Sequence, residues 1–446
     1  FCTRKGVWKS EKIIVNGGKR LKGEISVQGA KNSVLPILAA TLLVNGVCVI
    51  HNCPMISDVE ATIKILTYLG CRVNVEEHTV TVDSTAVNKS EVPDELMREM
   101  RSSVVFLGGI IGRTGRAVLS TPGGCEIGLR PIDLHLSSIE KLGAEVRNEN
   151  GKIVCSAEKN GLKGTRIVLS FPSVGATENI ILASVLAKGT TVITNAAREP
   201  EISDLASFLN RCGAKIYGAG DSTVRIEGVS SLFSCEHTII PDRIVASTYI
   251  IAAAITGGYV RINGIVPSHI GPIIEPLRET GCMVEATAGN VTVRAPSHLK
   301  RIRMIRTMPH PGFPTDAQAQ MMTLTTVAEG TSVFVENIFE SRFKHVGELL
   351  RFGAKISVEG RMAVVEGVNR LNSADVKATD LRGGSAMILA GLCAEGVTEI
   401  SRIHHIDRGY EKPEKVLSLL GADIKRVKSD EKYSKFKEES AVGNVQ

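Results

Sequence analysis

Residues 33–46 read SVLPILAATLLVNG, an almost wholly apolar run that ends in a glycine. Three later runs share this character: TENIILASVLAKG (177–189), AQAQMMTLTTVAEG (317–330) and GSAMILAGLCAEG (384–396). A helix that is apolar all round has to be buried on every side, and glycine is the residue that best tolerates a left-handed helix cap. These runs therefore predict buried helices, each closed by a C′ glycine.

These helices belong to a repeat that occurs six times. After the first glycine of each copy comes a β-branched segment such as GTTVITN (189–195), then a second helix and a second glycine. With a leading strand such as EISVQG (24–29) and closing alternating segments, the unit reads βαβαββ. The sequence predicts an α/β protein in which two groups of three units each surround their own buried helices. The paired glycines are Gly46 and Gly70, Gly115 and Gly143, Gly189 and Gly213, Gly257 and Gly281, Gly330 and Gly353, and Gly396 and Gly421.

Composition excludes several classes of protein. The chain has 446 residues, of which 43% are hydrophobic and 22% charged, as in globular proteins. The longest apolar run, residues 34–44, is far shorter than the roughly 20 residues of a membrane helix, and nothing at the start resembles a signal peptide. We therefore expect a cytoplasmic protein without membrane insertion. The net charge of +6 is too mild and too evenly spread to indicate nucleic acid, and it suits small anionic substrates better.

The ten cysteines include no CxxC pair and no Cys/His spacing typical of zinc. We expect no metal site and no cofactor, and we expect most of these cysteines to be reduced and buried. Cys71 and Cys282 take a position that is Ala in the other units, which indicates packing. Cys125 differs, because it lies in the glycine-rich segment STPGGCEIGLRP five residues before Arg130, the setting of a reactive thiol.

Cations recur where strands lead into helices, at the end of each unit where helix dipoles already favour anions. If these ends face one cleft, six basic residues could surround a single strongly anionic ligand. A lone arginine at such a position is more often an ordinary surface group, and Asp58, Asp204, Asp242 and Asp316 could all be plain N-caps. The six basic residues are Lys31, Arg101, Arg130, Arg342, Arg382 and Arg408.

Eight motifs occur in order from about residue 12 to 427: GAKNSVLPILAATLL, PGGCEIGLRPIDLH, PSVGATENI, NAAREPEI, HPGFPTDAQAQ, ESRFKHVGEL, ATDLRGG and HHIDRGYEK. In these the chain closely resembles the enolpyruvyl transferase family, and within it the UDP-N-acetylglucosamine 1-carboxyvinyltransferases of peptidoglycan synthesis. The resemblance implies an inside-out α/β barrel of two domains, one of residues 31–240 and a catalytic one of residues 1–30 with 241–446. It also implies a mobile PGGC loop at 121–131 and a polar C-terminal tail that we expect to fray.

The implied reaction transfers the enolpyruvyl group of phosphoenolpyruvate to the 3′-hydroxyl of UDP-N-acetylglucosamine by addition and elimination, and releases phosphate. By the same resemblance Cys125 protonates phosphoenolpyruvate, Asp316 acts as the base on the 3′-hydroxyl, and Lys31 takes part in catalysis. The residues implied to bind phosphoenolpyruvate are Lys31, Asn32, Arg130, Arg342, Arg382 and Arg408. Those implied to bind UDP-N-acetylglucosamine are Arg101, Arg130, Pro131, Ile132, Asp133, Leu134, Ser173, Val174, Asp316 and Ile338.

One position departs from the family pattern, since some relatives carry a basic residue where this chain has Phe171. A side-chain contact to the diphosphate is therefore in doubt. The position of Cys125 also varies in the family, and because it is Cys here the resemblance implies alkylation by fosfomycin. Three other functions stay open: the sister enzyme that acts on shikimate 3-phosphate, a non-catalytic repeat scaffold that binds a nucleotide sugar, and an RNA-end-processing relative with a nucleotidylated histidine.

Overall fold

The structure is a computed structural model, and it describes residues 11–100, 103–120 and 132–428. The predicted PGGC loop at 121–131 lies outside these residues. So does the predicted fraying tail, except for Lys428, which ends the last strand. Within the described part of the chain, short 3-10 turns precede or follow several helices. The helices are α1 (Lys31–Ala40), α2 (Ser57–Leu69), α3 (Asp94–Glu99), α4 (Phe106–Thr114), α5 (Asp133–Lys141), α6 (Val174–Ser184), α7 (Pro200–Arg211), α8 (Arg243–Ile255), α9 (Gly271–Glu279), α10 (Gln318–Thr325), α11 (Val346–Arg351), α12 (Leu381–Cys393) and α13 (Pro413–Leu419).

The strands of the described residues form six small sheets, one for each predicted unit. In most of them a leading strand pairs in parallel with the strand after the first helix, and an antiparallel hairpin completes the sheet. The strands are β1 (Glu11–Asn16), β2 (Lys22–Ser26), β3 (Val47–His51), β4 (Arg72–Glu76), β5 (Thr79–Asp83), β6 (Arg116–Ser120), β7 (Ala144–Glu149), β8 (Lys152–Ala157), β9 (Arg166–Val168), β10 (Thr190–Thr194), β11 (Lys215–Tyr217), β12 (Thr223–Glu227), β13 (Glu236–Thr238), β14 (Tyr259–Asn263), β15 (Met283–Thr287), β16 (Asn290–Arg294), β17 (Met304–Arg306), β18 (Thr331–Val335), β19 (Lys355–Glu359), β20 (Met362–Glu366), β21 (Asp375–Lys377), β22 (Val397–Ser401) and β23 (Asp423–Lys428).

The apolar first helices lie at the centre and the sheets surround them, so the inside-out arrangement is confirmed. Every residue of α8 and α10 is buried, and so is all of α12 except Cys393. α8, α10 and α12 pack on one another, and in the other group α4 packs on both α1 and α6. The buried residues form two hydrophobic clusters, one drawn from residues 30–239 and the other from residues 13–27 and 245–424. Burial of aliphatic side chains, at about 1.5–3 kcal/mol each, is thus what holds each group of three units together.

Two leading strands are exchanged between these clusters. β2 runs into α1 but pairs with β14, and β13 runs into α8 but pairs with β3. The two connections cross side by side, where the amide of Ala30 donates to the carbonyl of Ile240 at 2.8 Å. Gly29 is required at this crossing, because a Cβ there would lie 1.8 Å from the carbonyl oxygen of Asn52. The crossing therefore fixes where the first residues of α1 and α8 stand relative to each other.

The structure corrects the sequence analysis at the predicted glycine caps and in the sixth unit. Gly189, Gly330 and Gly396 have left-handed backbone angles, but they are not C′ caps, because α6, α10 and α12 end several residues before them. Gly46 is not a left-handed cap, because α1 passes into a 3-10 turn (Thr41–Leu43) and Val44 is already extended. Gly46 is instead needed for space, since a Cβ would lie 2.3 Å from the Oγ of Ser234. The sixth unit also does not supply all of its own strands: β1, from the other end of the chain, lies between β22 and β23.

Candidate active site

Lys31 begins α1 at the crossing of the two connections. Its backbone amide donates to Oδ2 of Asp242 at 3.0 Å, and its Nζ lies 2.7 Å from Oδ2 of Asp58. The side chain is only 10% exposed. Burial, together with the nearby guanidinium groups of Arg408 and Arg382, lowers the pKa of Lys31 although Asp58 acts in the opposite direction. Asn32, the next residue, is half-buried.

Arg408 reaches the same carboxylate from the other hydrophobic cluster. Its Nε and Nη2 donate to the two oxygens of Asp58 at 2.9 and 3.0 Å. Asp58 lies in the first turn of α2 and is buried. Burial alone would raise the pKa of Asp58, but Lys31 and Arg408 outweigh it and the pKa is lowered. One buried carboxylate thus holds two cations, one from each of the two groups of units.

Asp316 forms a second group of the same kind. It stands in a 3-10 turn (Thr315–Ala317) that follows Pro314. Its Oδ1 accepts from Arg342 at 2.8 Å, and its Oδ2 accepts from Arg382 at 2.9 Å. Burial would raise the pKa of Asp316, yet the two guanidinium groups hold that pKa far below its usual range. The Asp316 side chain is still 27% exposed, so a ligand can reach it.

The two groups form one basic site. The charge of Arg382 acts on both Lys31 and Asp242, and the charge of Lys31 acts on Asp316. Four cations pair with the carboxylates of Asp58 and Asp316, and the buried carboxyl groups of Asp242 and Asp380 lie near Arg382 and Arg342. The Nε atoms of Arg342 and Arg382 are buried and have no hydrogen-bond partner among the described residues. Unpaired buried donors are costly, and a bound carboxylate or phosphate would satisfy them.

Other residues of the predicted site lie at helix starts. Ile132 directly precedes α5, and Asp133 and Leu134 are its first residues. Ser173 caps α6, its Oγ accepting from the amide of Ala176 at 3.3 Å, and Val174 is the first residue of that helix. The starts of these two helices lie close together, because a Cβ at Gly175 of α6 would lie 3.0 Å from the ring of His135 in α5. The side chain of Phe171, just before α6, is 41% exposed.

Ile338 lies beyond β18, where its amide donates to Oε1 of Glu336 at 2.8 Å. Four residues of the predicted site, Arg101, Cys125, Arg130 and Pro131, lie outside the described residues. The structure therefore brings Lys31, Arg342, Arg382 and Arg408 together, and it describes neither the thiol nor the other two arginines.

The N-cap predictions for the four aspartates are right in one case. Asp242 caps α8 by accepting from the amides of Ile244 and Val245. The prediction is wrong for Asp58 and Asp316, because their carboxylate oxygens accept hydrogen bonds from guanidinium groups. Asp204 is also wrong: it lies within α7, buried, where it accepts from Ser33 and bonds His237 at 2.9 Å. Sequence reasoning thus missed Asp58 as a counter-ion, and the only local signal was an acidic residue in the first turn of a second helix.

Comparison with known proteins bears on this site. Residues 15–417 match the family model described as EPSP synthase (3-phosphoshikimate 1-carboxyvinyltransferase). UDP-N-acetylglucosamine 1-carboxyvinyltransferase 2 of Caldanaerobacter subterraneus subsp. tengcongensis is 52% identical, over 93% of this chain and 99% of its own. UDP-N-acetylglucosamine 1-carboxyvinyltransferase 1 of Symbiobacterium thermophilum is also 52% identical, over 94% and 96%. This chain belongs to the UDP-N-acetylglucosamine 1-carboxyvinyltransferase family.

A solved structure supports the family assignment at the level of the fold. The enolpyruvyl transferase NikO from Streptomyces tendae matches with a TM-score of 0.84 at 27% identity, over 94% of this chain and 99% of that one. The α/β two-domain fold is therefore that of the carboxyvinyl transferases. No helix in the described part of the chain is long and apolar enough to cross a membrane.

Proposed function

We infer that this chain is the enzyme that transfers the enolpyruvyl group of phosphoenolpyruvate to the 3′-hydroxyl of UDP-N-acetylglucosamine, the first committed step of peptidoglycan synthesis. The observation that carries this is the basic site itself: four converging cations share two carboxylates, and two buried guanidinium nitrogens have no partner among the described residues. Relatives that are 52% identical over nearly the whole chain support the same activity.

Phosphoenolpyruvate carries a phosphate and a carboxylate, and both suit this site. We assign the phosphate to Lys31 and Arg408, with Arg130, and the carboxylate to Arg342 and Arg382, with Asn32 beside them. Before the substrate arrives, Asp58 and Asp316 keep the cations in place. The substrate's oxygens then compete with these carboxylates for the same donors, so binding does not require the cations to be ordered anew.

We assign the role of base to Asp316, although its two arginines hold its pKa too low for it to accept a proton while they pair with it. When the substrate carboxylate takes those arginines, Asp316 loses this stabilisation and its pKa rises toward a value at which it can accept a proton. Binding of phosphoenolpyruvate would therefore switch on the base. Asp316 would then accept a hydrogen bond from the 3′-hydroxyl only when both substrates are bound.

The proposed reaction has two steps. In the addition, the Cys125 thiol delivers a proton to the methylene carbon, Asp316 takes the hydroxyl proton, and the sugar oxygen bonds to the central carbon. In the elimination, the bond from that carbon to the phosphate oxygen breaks, the Cys125 thiolate takes a proton from the methyl group, and phosphate leaves with the proton that Asp316 held. The surrounding cations stabilise the charge that develops on the leaving phosphate.

UDP-N-acetylglucosamine would lie across the starts of α5 and α6. Ile132, Asp133 and Leu134 line one side, Ser173 and Val174 the other, and free helix amides favour the diphosphate. Arg101, Arg130, Pro131 and Ile338 complete the proposed set. Because Phe171 cannot donate a hydrogen bond, backbone amides have to bind the diphosphate at that position.

Domain closure is part of the proposal. Residues 31–240 would move against residues 1–30 and 241–446, and the 121–131 loop would carry Cys125 and Arg130 inward. Contacts already join the two sides: Arg408 to Asp58, and Nε of Arg243 to Glu201 at 2.9 Å. A hinge at the exchanged strands would let such pairs open and close with the ligand.

Phosphate release measured with both substrates tests the function. We expect release with phosphoenolpyruvate and UDP-N-acetylglucosamine, and none when shikimate 3-phosphate replaces the nucleotide sugar. Cys125→Ala and Asp316→Ala should abolish release, whereas a nucleotide-sugar-binding scaffold would show binding and no release from any variant. We further propose that the enzyme works in the cytoplasm, that its loss disturbs cell shape and division, and that fosfomycin inactivates it.

A further inference from the structure

Three cysteines that are far apart in the sequence meet where β13 joins β3. Cys48 lies in β3, Cys212 directly follows α7, and Cys235 directly precedes β13. Their three Sγ atoms all lie within 4.8 Å of one another, and those of Cys212 and Cys235 are 2.9 Å apart. Cys48 and Cys212 are buried and Cys235 is partly exposed. The spacing of the cysteines in the sequence gave no sign of this cluster.

Backbone hydrogen bonds hold the three cysteine residues next to one another. β13 runs parallel to β3 with Glu236 opposite Val49, which sets Cys235 opposite Cys48. The amide of Val49 donates to the carbonyl of Cys235 at 3.0 Å, and the amide of Phe233 donates to the carbonyl of Cys212 at 2.8 Å. The exchanged strand that leads to α8 therefore sets the backbone positions of the three cysteines, and side-chain rotation alone can change the distances between their sulfurs.

We propose that Cys48, Cys212 and Cys235 form a binding site for one thiophilic divalent ion, zinc in the first instance. Sulfur ligands lie about 2.3 Å from zinc, so the sulfurs of a tetrahedral site are about 3.8 Å apart. The Cys212 and Cys235 sulfurs would have to separate by about 0.9 Å from their 2.9 Å contact, a change that side-chain rotation can supply. Three thiolates and one zinc ion leave a single negative charge, and the thiol protons pass to solvent on binding.

His237 is the candidate donor for the fourth position, but its ring nitrogens do not lie within 4.8 Å of all three sulfurs, so the ring would have to turn toward the ion. His237 is two residues beyond Cys235 on β13, so its side chain is on the same face of the sheet. Its Nδ1 is buried and has no hydrogen-bond partner among the described residues, while its Nε2 bonds Oδ1 of Asp204 at 2.9 Å. A carboxylate that orients the second nitrogen is what metal-binding histidines usually have.

A disulfide between Cys212 and Cys235 is the competing interpretation. It would require those sulfurs to approach by about 0.9 Å, as far as the metal requires them to separate. The third sulfur decides between the two, because a disulfide uses two cysteines and has no role for Cys48. The unpartnered nitrogen of His237 also has no role in a disulfide.

Cobalt binding to the full-length, thiol-reduced protein tests the site. We expect one Co²⁺ per chain, with a sulfur-to-cobalt charge-transfer band that zinc abolishes by displacement. Removing even an outer-shell group typically costs 10–100-fold in metal affinity, so Cys48→Ala and Cys212→Ala should each weaken binding by about 100-fold or more. Cys282→Ala, which removes a buried thiol in the other hydrophobic cluster, is the matched control and should bind as the wild type does. Cys2 and Cys125 remain in every variant, so they cannot account for a loss.

Zinc should also raise the Tm of the wild-type chain, and a chelator should reverse the rise, which keeps the test independent of whether the variants fold. The proposal is overturned if the reduced wild-type protein gives no charge-transfer band, or if Cys48→Ala binds cobalt as tightly as the wild type. It is also overturned if peptide mapping of protein purified with a thiol reductant finds Cys212 joined to Cys235.

Discussion

Replacing Asp58 by Asn isolates the contribution of the counter-ion that pairs with both Lys31 and Arg408. The change keeps the size of the side chain and removes the charge that holds Lys31 at 2.7 Å and Arg408 at 2.9 and 3.0 Å. Removing one partner of a buried ion pair costs about 3–5 kcal/mol, because the remaining charge stays unpaired. Lys31 and Arg408 are 10% and 17% exposed, so water compensates in part and we expect about 3 kcal/mol.

Thermal unfolding measures this effect. For a domain of 150–250 residues, 1 kcal/mol corresponds to about 2–4 °C in Tm, so Asp58→Asn should lower the Tm by about 6–12 °C. The control is Glu275→Gln, which removes an exposed ion pair with Arg278 at 2.7 Å. Exposed pairs contribute at most about 1 kcal/mol, so the control should change the Tm by no more than a few degrees.

Inorganic phosphate provides a second measurement. In the wild-type site an anion has to displace Asp58 from its cations, whereas in Asp58→Asn the cations are free. Phosphate should therefore raise the Tm of the variant by more than it raises that of the wild type. The reasoning is refuted if Asp58→Asn unfolds within about 2 °C of the wild type, or if phosphate stabilises the two proteins equally.

Four further predictions follow from particular residues. Asp316→Asn should lower the rate of phosphate release by about 10²–10⁴-fold, as for loss of a general base. Binding of phosphoenolpyruvate, measured by calorimetry, should persist. Unimpaired release would show that Asp316 is not the base. Gly29→Ala should destabilise the chain by about 1–3 kcal/mol or more, since the new Cβ would lie 1.8 Å from the carbonyl oxygen of Asn52. Urea unfolding measures this effect, and the control is Gly271→Ala, where a Cβ would have no atom within 4 Å. Burial lowers the pKa of His135 to about 4. Below about pH 6.5 the unfolded chain therefore binds a proton that the folded chain does not, so the free energy of unfolding should fall from pH 6.5 toward pH 4, by about 2 kcal/mol at pH 5. The fall should be shallower in His135→Asn. Fosfomycin should add its mass to the intact protein at Cys125 and should leave Cys125→Asp unmodified. Mass spectrometry of the digested protein checks this, and an adduct on any other residue would contradict it.

Much of the fold could be predicted from the sequence because the relevant signals are local. An apolar run such as residues 33–46 has to be buried wherever it lies, and six copies of one spacing define six units. The cations of the site were also visible in the sequence, because each stands where a strand leads into a helix or a turn precedes one. Packing around α8, α10 and α12 follows directly from those patterns.

Partners across long separations were not predictable in this way. The sequence by itself determined that Lys31 and Arg408 are cations at unit ends, but only the tertiary structure decided that Asp58 pairs with both, since 350 residues separate Asp58 from Arg408. The same holds for β2, which pairs with β14 although it leads into α1, and for the meeting of Cys48 with Cys212 and Cys235. The physical reason is that residue patterns report burial and local geometry, whereas ion pairs, strand partners and sulfur clusters depend on which distant segments the hydrophobic packing brings together.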